Sequence, residues 1–313
     1  MLNKYLTHIL SVCITALPKK YLAYILLIFT TLIWSVNFII GKFAYLFEVP
    51  PLSLNFLRWT LVWIILFPFT YREIFSNIKL IKKNIIYLTI LAITSVSAFN
   101  SLVYLALNYT QAIDTILMIS IIPVFVLFLS SILGVEKFNL FQLFGLVISF
   151  IGVLIIFSNA DLDKILNLNF NKGNVWMLLA VFCWALYSSL LKKKKLPFST
   201  LGLVEILASI GLIFLIPQFI GEQMYGKEIK FNKAFFLILS FVTFFASIGA
   251  YYCWNKAIEL IGPNRASIFL HLMPVFGVIL AIVLLKEKFQ MYHFIGAGFI
   301  VSGIYLSNRK NND

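Results

Sequence analysis

The chain has 313 residues, 61% of them hydrophobic and 12% charged, with a formal net charge of +13. So little charge cannot coat a water-soluble domain of this size, which excludes a soluble globular protein and predicts an integral membrane protein. The positive balance does not indicate nucleic acid as a partner, because the basic residues fall in short breaks between apolar runs, where they orient a chain in a bilayer.

In chain order, residues 1–20 come first, with LTHILSVCITALPKK among them. Its apolar part is too short to cross a bilayer and no small-residue cleavage pattern follows, so it reads as an interfacial, cytoplasmic lead-in. A spanning helix needs roughly 20 mainly apolar residues. Ten such stretches follow, near 21–46, 52–71, 85–107, 112–133, 139–158, 174–191, 199–220, 234–257, 266–285 and 290–307. They are long and continuously apolar, unlike the alternating segments of about ten residues that mark a β-barrel. Lys19, Lys20, Arg72, Lys79, Lys82, Lys83, the run from Lys192 to Lys195 and Arg309 all fall on one side of such a ten-span chain. On the other side, lysines such as Lys172, Lys230 and Lys286 are offset by Asp161, Glu222, Glu228 and Glu287. Basic loops stay in the cytoplasm, so both termini of this multi-pass cell-membrane protein are expected there.

The chain repeats itself. IPVFVLFLSSILGVEKF occupies 122–138 and MPVFGVILAIVLLKEKF occupies 273–289, and Pro123 and Pro274 differ by 274 − 123 = 151. The same shift superposes Ala106 on Ala257, Glu136 on Glu287, Gly145 on Gly296 and Gly152 on Gly303. One residue out of step, Trp34 lands on Trp184 and Lys42 on Lys192. The repeat therefore covers five spans per half, residues 21–160 and 174–307, with 161–173 an extracytoplasmic connection and 308–313 a cytoplasmic tail. Five is odd, so the second copy enters the bilayer from the opposite face. The expected fold is all-α: ten transmembrane helices in two inverted-topology five-helix repeats, an arrangement many secondary transporters use for alternating access.

Several segments together resemble the drug/metabolite transporter superfamily, specifically its EamA-type branch. They are WSVNFIIGKFA in span one, LNFLRW in span two, YLALNYTQA before span four, CWALYSSLLKK in span six and the two PVF…EKF…G…G blocks. The resemblance covers residues 21–307 and implies a secondary carrier, commonly an exporter, of small metabolites such as amino acids or related compounds. No soluble ATP-binding domain is visible, so a gradient or exchange is expected to drive transport. A carrier for a phosphorylated or nucleotide-linked metabolite of the same superfamily would call for basic pairs deep in several helices, whereas Arg58 alone is clearly deep. A membrane enzyme or sensor would call for acidic or metal-binding clusters near one interface. Cys13, Cys183 and Cys253 lack paired spacing, and His8, His271 and His293 fall in no ligand spacing, so no disulfide framework, metal site, cofactor or enzyme activity is expected.

Polar groups within a bilayer are costly and are functional candidates by default. Residues three or four apart share a helix face, which yields four stripes: Trp34, Asn37 and Gly41; Ser97, Asn100 and Tyr104; Trp184, Tyr187 and Ser188; Ser247, Tyr251 and Asn255. The 151 shift places Asn100 on Tyr251 and Tyr104 on Asn255. These four, with Trp34, Asn37, Trp184 and Tyr187, are expected to line a substrate cavity. The competing reading makes the amides and hydroxyls helix–helix glue worth about 1 kcal/mol each.

Charged groups need separate reasons. Lys42 and Lys192 can snorkel to headgroups, although Lys42 sits at a position similar to the family's and is a secondary candidate for meeting substrate. Arg58 would cost at least ~3 kcal/mol unpaired and needs a partner, either Glu205 or backbone carbonyls. Glu136 and Glu287 are expected to orient helix ends, and Asp114 to favour the start of its helix. Ser97, Ser188 and His271 complete the secondary candidates, a lone histidine being more often a satisfied core group than a proton relay. Pro123 and Pro274 should kink spans four and nine. Gly145, Gly152, Gly296 and Gly303 should let spans five and ten pair closely, as a possible homodimer face.

Overall fold

The computed structural model describes residues 18–110, 112–158, 161, 171–225, 228–285 and 290–309, without the side chains of 112–114 and 281–285. Most of the lead-in with His8 and Cys13, the side chain of Asp114, and Lys286 and Glu287 lie outside the described residues. Ten helical passes account for the rest: α1 (Lys19–Leu46), α2 (Pro51–Ser76), α3 (Ile85–Leu107), α4 (Ala112–Ile119, then Ile122–Ile132), α5 (Leu140–Ser158), α6 (Lys172–Leu191), α7 (Thr200–Met224), α8 (Lys233–Ile261), α9 (Pro263–Ser267, Ile268–His271 and Leu272–Leu285) and α10 (Met291–Ser307). Among the described residues nine passes are long and apolar enough to span a bilayer, and α10 is a shorter apolar helix. A six-residue helix, Ile78–Lys83, joins α2 to α3.

Local chemistry sets the starts. Pro51 stands in the first turn of α2, where its missing N–H costs nothing. Asn171, Ser199 and Asn232 cap α6, α7 and α8 by accepting from the N–H groups of Asn174, Gly202 and Phe235. The passes α2 and α7 run past the expected ends at 71 and 220, because a helix already propagating gains a backbone bond per residue whether or not lipid surrounds it.

Contacts between helix ends establish the directions. Lys20 at the start of α1 donates to the Asn308 carbonyl after α10 at 3.3 Å, so the beginning of α1 and the end of α10 lie at one end of the bundle. At that same end Lys192 after α6 pairs with Glu136 after α4 at 2.8 Å. At the opposite end Glu48, between α1 and α2, pairs with Lys230, between α7 and α8. The odd-numbered passes of the first half and the even-numbered passes of the second therefore run in opposite senses, as inverted repeats must. The antiparallel pair α2 and α7 is closed at both ends in the same way. Glu222 near the end of α7 accepts from the Ser53 N–H (2.6 Å) and hydroxyl (2.8 Å), and Glu73 near the end of α2 accepts from the N–H and hydroxyl of Ser199.

The glycines of α5 and α10 pair across the chain's own halves. A Cβ at Gly145 would stand 2.5 Å from the Gly303 carbonyl oxygen, and one at Gly152 would stand 2.5 Å from that of Gly296. The 151 shift sends 145 to 296 and 152 to 303, so it exchanges these two contacts, which is the signature of a two-fold between the repeats. The close approach expected of α5 and α10 occurs within one chain, where backbone fills the space that the missing side chains leave.

Both expected proline breaks are present. Pro123 opens the second segment of α4 after a break at Ser120 and Ile121, and α9 passes through a 3-10 turn, Ile268–His271, just before Pro274. The two corners touch: His271 Nε2 donates to the Ser120 carbonyl at 2.9 Å, and 271 − 120 = 151. Two further irregularities were not anticipated. α3 contains a π segment, Ile93–Ser97, and α8 another, Val242–Gly249; 93 + 151 = 244 and 97 + 151 = 248, so they are equivalents.

Candidate functional site

Where α1, α3, α6 and α8 converge, aromatic rings form the centre of the molecule. Trp34 and Trp184, equivalents in the repeat, meet edge to face with centroids 5.0 Å apart, and Tyr251 contacts both at 6.1 and 5.3 Å. Such pairs add about 1 kcal/mol beyond the area they bury. Beside them is a cavity of about 20 Å3. It has room for a water or so and no more.

Six of the eight expected residues line it: Trp34, Asn37, Asn100, Tyr104, Trp184 and Tyr251. The π segment of α3 prepares this arrangement, because an i to i−5 pattern turns the Ser95 carbonyl away from the ordinary helical ladder. That carbonyl accepts from Asn100 Nδ2 at 2.8 Å and from the Tyr251 hydroxyl at 2.7 Å, while Asn100 Nδ2 also donates to the Tyr251 oxygen at 2.9 Å. In α8, Ser247 likewise reaches five residues back, donating to the Val242 carbonyl at 2.7 Å.

Tyr187 and Asn255 are not among the residues around this cavity. The Tyr187 hydroxyl donates to Asn255 Oδ1 at 2.6 Å, both side chains are buried, and Tyr187 sits behind the Trp184 ring at 5.2 Å. The bond joins α6 to α8, and among the described residues Asn255 Nδ2 has no hydrogen-bond partner. Among the secondary candidates, Ser97 donates to its own helix at Ile93 and Ser188 accepts from Trp254 Nε1, each at 3.3 Å. His271 is a satisfied core group: besides Ser120 it meets the Ser149 hydroxyl at 2.6 Å through Nδ1.

Neither lysine stands free. Lys42 donates to the carbonyls of Leu107 and Thr110, both at 3.0 Å, because the end of α3 leaves carbonyls without helical donors. Lys192 pairs with Glu136, whose carboxylate also accepts from the Asn264 N–H; a Cβ at Gly262 would overlap it.

Arg58, a secondary candidate in the sequence, also stands in the cavity wall. It is 1% exposed, and neither of its expected partners is used. Nη1 donates to Asn100 Oδ1 and to the Tyr104 hydroxyl, each at 2.9 Å, and Nε donates to the Ser247 hydroxyl. Glu205 is also fully buried, but among the described residues neither of its oxygens has a hydrogen-bond partner. The sequence signal for Arg58 was its depth; what depth could not supply was the trio of neutral acceptors from α3 and α8.

The EamA-like transporter family matches residues 21–158 and 171–309, one match per half. The chain belongs to the EamA-like transporter family. A protein of Archaeoglobus fulgidus described as an uncharacterized transporter is 29% identical to this EamA-like transporter over 292 residues, 92% of this chain and 98% of its own. A probable amino-acid metabolite efflux pump of Escherichia coli is 24% identical over 90% of this chain and 93% of its own. A solved crystal structure, 14% identical, superposes with a TM-score of 0.70 over 91% of this chain and 95% of that one, a likeness of fold. The EamA-like transporter is thus a multi-pass membrane transporter, and its two halves contribute matching positions to one central cavity.

Proposed function

We propose that this transporter is a secondary, non-ATP-driven exporter of small metabolites such as amino acids, working by alternating access between residues 21–160 and 174–307. One observation carries the reading. The small central cavity lies where equivalent residues of the two halves meet, Trp34 against Trp184 and Asn100 against Tyr251, with Asn37, Tyr104 and Arg58 beside them. A site on the two-fold keeps its lining when the halves rock in either sense, so it can open toward one end and then the other. At about 20 Å3 the cavity is too small for a metabolite, so loading requires the halves to part.

Both termini are assigned to the cytoplasm. Supporting this, the basin at the end where α1 begins is lined by Lys19, Lys20, Lys137, Lys192 and Arg265 with Glu136, the charge expected of a cytoplasmic face. The efflux pump of Escherichia coli supports export and the amino-acid class.

The test is reconstitution in proteoliposomes with a panel of labelled amino acids and related metabolites, measuring uptake and efflux with and without a pH gradient. Movement down a gradient, or exchange, without ATP is expected, together with a marked loss on Asn100→Ala at unchanged expression. A protein that moves nothing in the panel, or an Asn100→Ala variant with unaltered kinetics, overturns the reading.

A further inference from the structure

Arg58 poses a problem of charge that its hydrogen bonds do not solve. Its three acceptors, Asn100, Tyr104 and Ser247, are neutral, and among the described residues no carboxylate lies within ion-pair distance. Neutral acceptors satisfy donors but leave the positive charge uncompensated, and a buried cation in a membrane helix normally has a counter-charge. Glu205, the acid best placed by sequence, does not supply one. The guanidinium instead lines the central cavity, and its Nη2 takes part in none of the three bonds. Two N–H groups of a planar fork that suits a carboxylate are therefore uncommitted.

We infer that Arg58 recognises the carboxylate of the cargo, and that the cargo is a small monoanionic or zwitterionic carboxylate whose apolar body lies against Trp34 and Trp184. The inference rests on the carrier reading above and names its cargo class. One guanidinium balances one negative charge, whereas a phosphate monoester carries nearly two, so the phosphorylated class is disfavoured. Two more groups in the same wall are buried and, among the described residues, have no hydrogen-bond partner: Asn37 Oδ1, an acceptor, and Trp184 Nε1, a donor. Asn37 Oδ1 suits an ammonium or a hydroxyl on the cargo, and Trp184 Nε1 suits an accepting oxygen, a hydroxyl or the carboxylate itself.

At the end where α1 begins, five basic groups, Lys19, Lys20, Lys137, Lys192 and Arg265, line a surface basin with Glu136. Topology alone would explain lysines at the cytoplasmic face, but it gives no reason for a guanidinium in the cavity wall.

The experiment is a binding and transport comparison on the intact, reconstituted chain. The standard amino acids and short hydroxy- and apolar monocarboxylates are each set beside the matching carboxamide, with sugar phosphates as a third arm. Binding to non-aromatic ligands is read from tryptophan fluorescence, since Trp34 and Trp184 line the site, and movement from counterflow. Acids are expected to bind more than about tenfold tighter than their amides, the difference expected of a buried charge pair. Arg58→Lys should keep part of that preference and Arg58→Gln should abolish it; should either variant fail to fold, the acid–amide ratio of the unaltered protein decides. Equal binding of acids and amides, tighter binding of sugar phosphates, or no binding by any acid overturns the inference. Transport of amides as fast as acids overturns it while leaving the carrier standing. Acids that bind through Arg58 yet are never moved support it and overturn the carrier reading instead.

Discussion

Asn100 and Tyr251 are the same position in the two halves, and they touch: the Asn100 amide donates to the Tyr251 hydroxyl at 2.9 Å. Equivalent residues can meet only on the two-fold itself, so this bond places the axis through the polar side of the cavity. From there Asn100 Oδ1 reaches Arg58, which ties the guanidinium to the geometry of both halves.

Tyr251→Phe removes one hydroxyl and leaves Asn100 Nδ2 its bond to the Ser95 carbonyl. The stability loss is expected to be about 1 kcal/mol. If the cavity is the route, transport should slow by about three- to tenfold, since 1.4 kcal/mol is a factor of ten. Initial rates in proteoliposomes beside thermal unfolding in detergent separate the two effects; full-speed transport by a stable variant counts against the site.

Gly145→Val and Gly298→Ala should differ in sign. A Cβ at Gly145 meets the Gly303 carbonyl and the Ser307 backbone, neither of which can rotate away, so about 1–3 kcal/mol of destabilisation is expected. Nothing lies within 4 Å of a Cβ at Gly298, where alanine should be neutral or stabilise α10 by up to about 1 kcal/mol. Unfolding midpoints of the two variants in one detergent decide.

The two carboxylate clamps on α2 and α7 are equivalent in design and unequal in burial. Glu222 is 6% exposed and its bonds include those accepted from the Leu52 and Ser53 N–H groups and the Ser53 hydroxyl, so Glu222→Gln should cost about 1.5–3 kcal/mol. Glu73 meets Ser199 at an exposed end, so Glu73→Gln should cost about 1 kcal/mol or less. Cysteine labelling should show the end near Ser53 loosening in the first variant and the end near Ser199 in the second.

The Glu48–Lys230 contact predicts a pH response at one end of the bundle. The ammonium beside Glu48 holds its carboxyl below the ordinary 4.5, and the carboxylate in turn raises Lys230 above the ordinary 10.5. A depressed carboxyl contributes stability that is complete above 4.5 and is lost as pH falls through its lowered value. A raised ammonium contributes below 10.5 and loses its part as pH rises through its higher value. Spin labels flanking the two loops should therefore keep one separation from pH 5 to 10 and move apart in stronger acid, with little effect on global unfolding.

The passes, their inversion and most of the cavity wall were legible in the amino acids. Lipid demands runs of about 20 apolar residues because no water is present to satisfy open backbone, and a shift of 151 survives in residues such as Pro123 and Pro274, Gly145 and Gly296. Polar side chains three and four apart then mark the inward faces, which brought Asn37, Asn100, Tyr104 and Tyr251 into view.

Where each polar group finds its partner lay beyond that reading. Successive residues differ by about 100° around a helix, so a stripe says which side faces the bundle and not which neighbour it meets. Tyr187 and Asn255 share such stripes, yet they close on each other. Glu205 lies at a matching depth to Arg58, yet Arg58 reaches Asn100, Tyr104 and Ser247. Those choices depend on distances between helices more than 40 residues apart in the chain, and on the π segments of α3 and α8, which side-chain periodicity does not reveal. Composition and repetition dictate a ten-pass inverted bundle with a polar centre; the packing of that bundle selects which of its polar groups pair with one another and which are left around the central cavity.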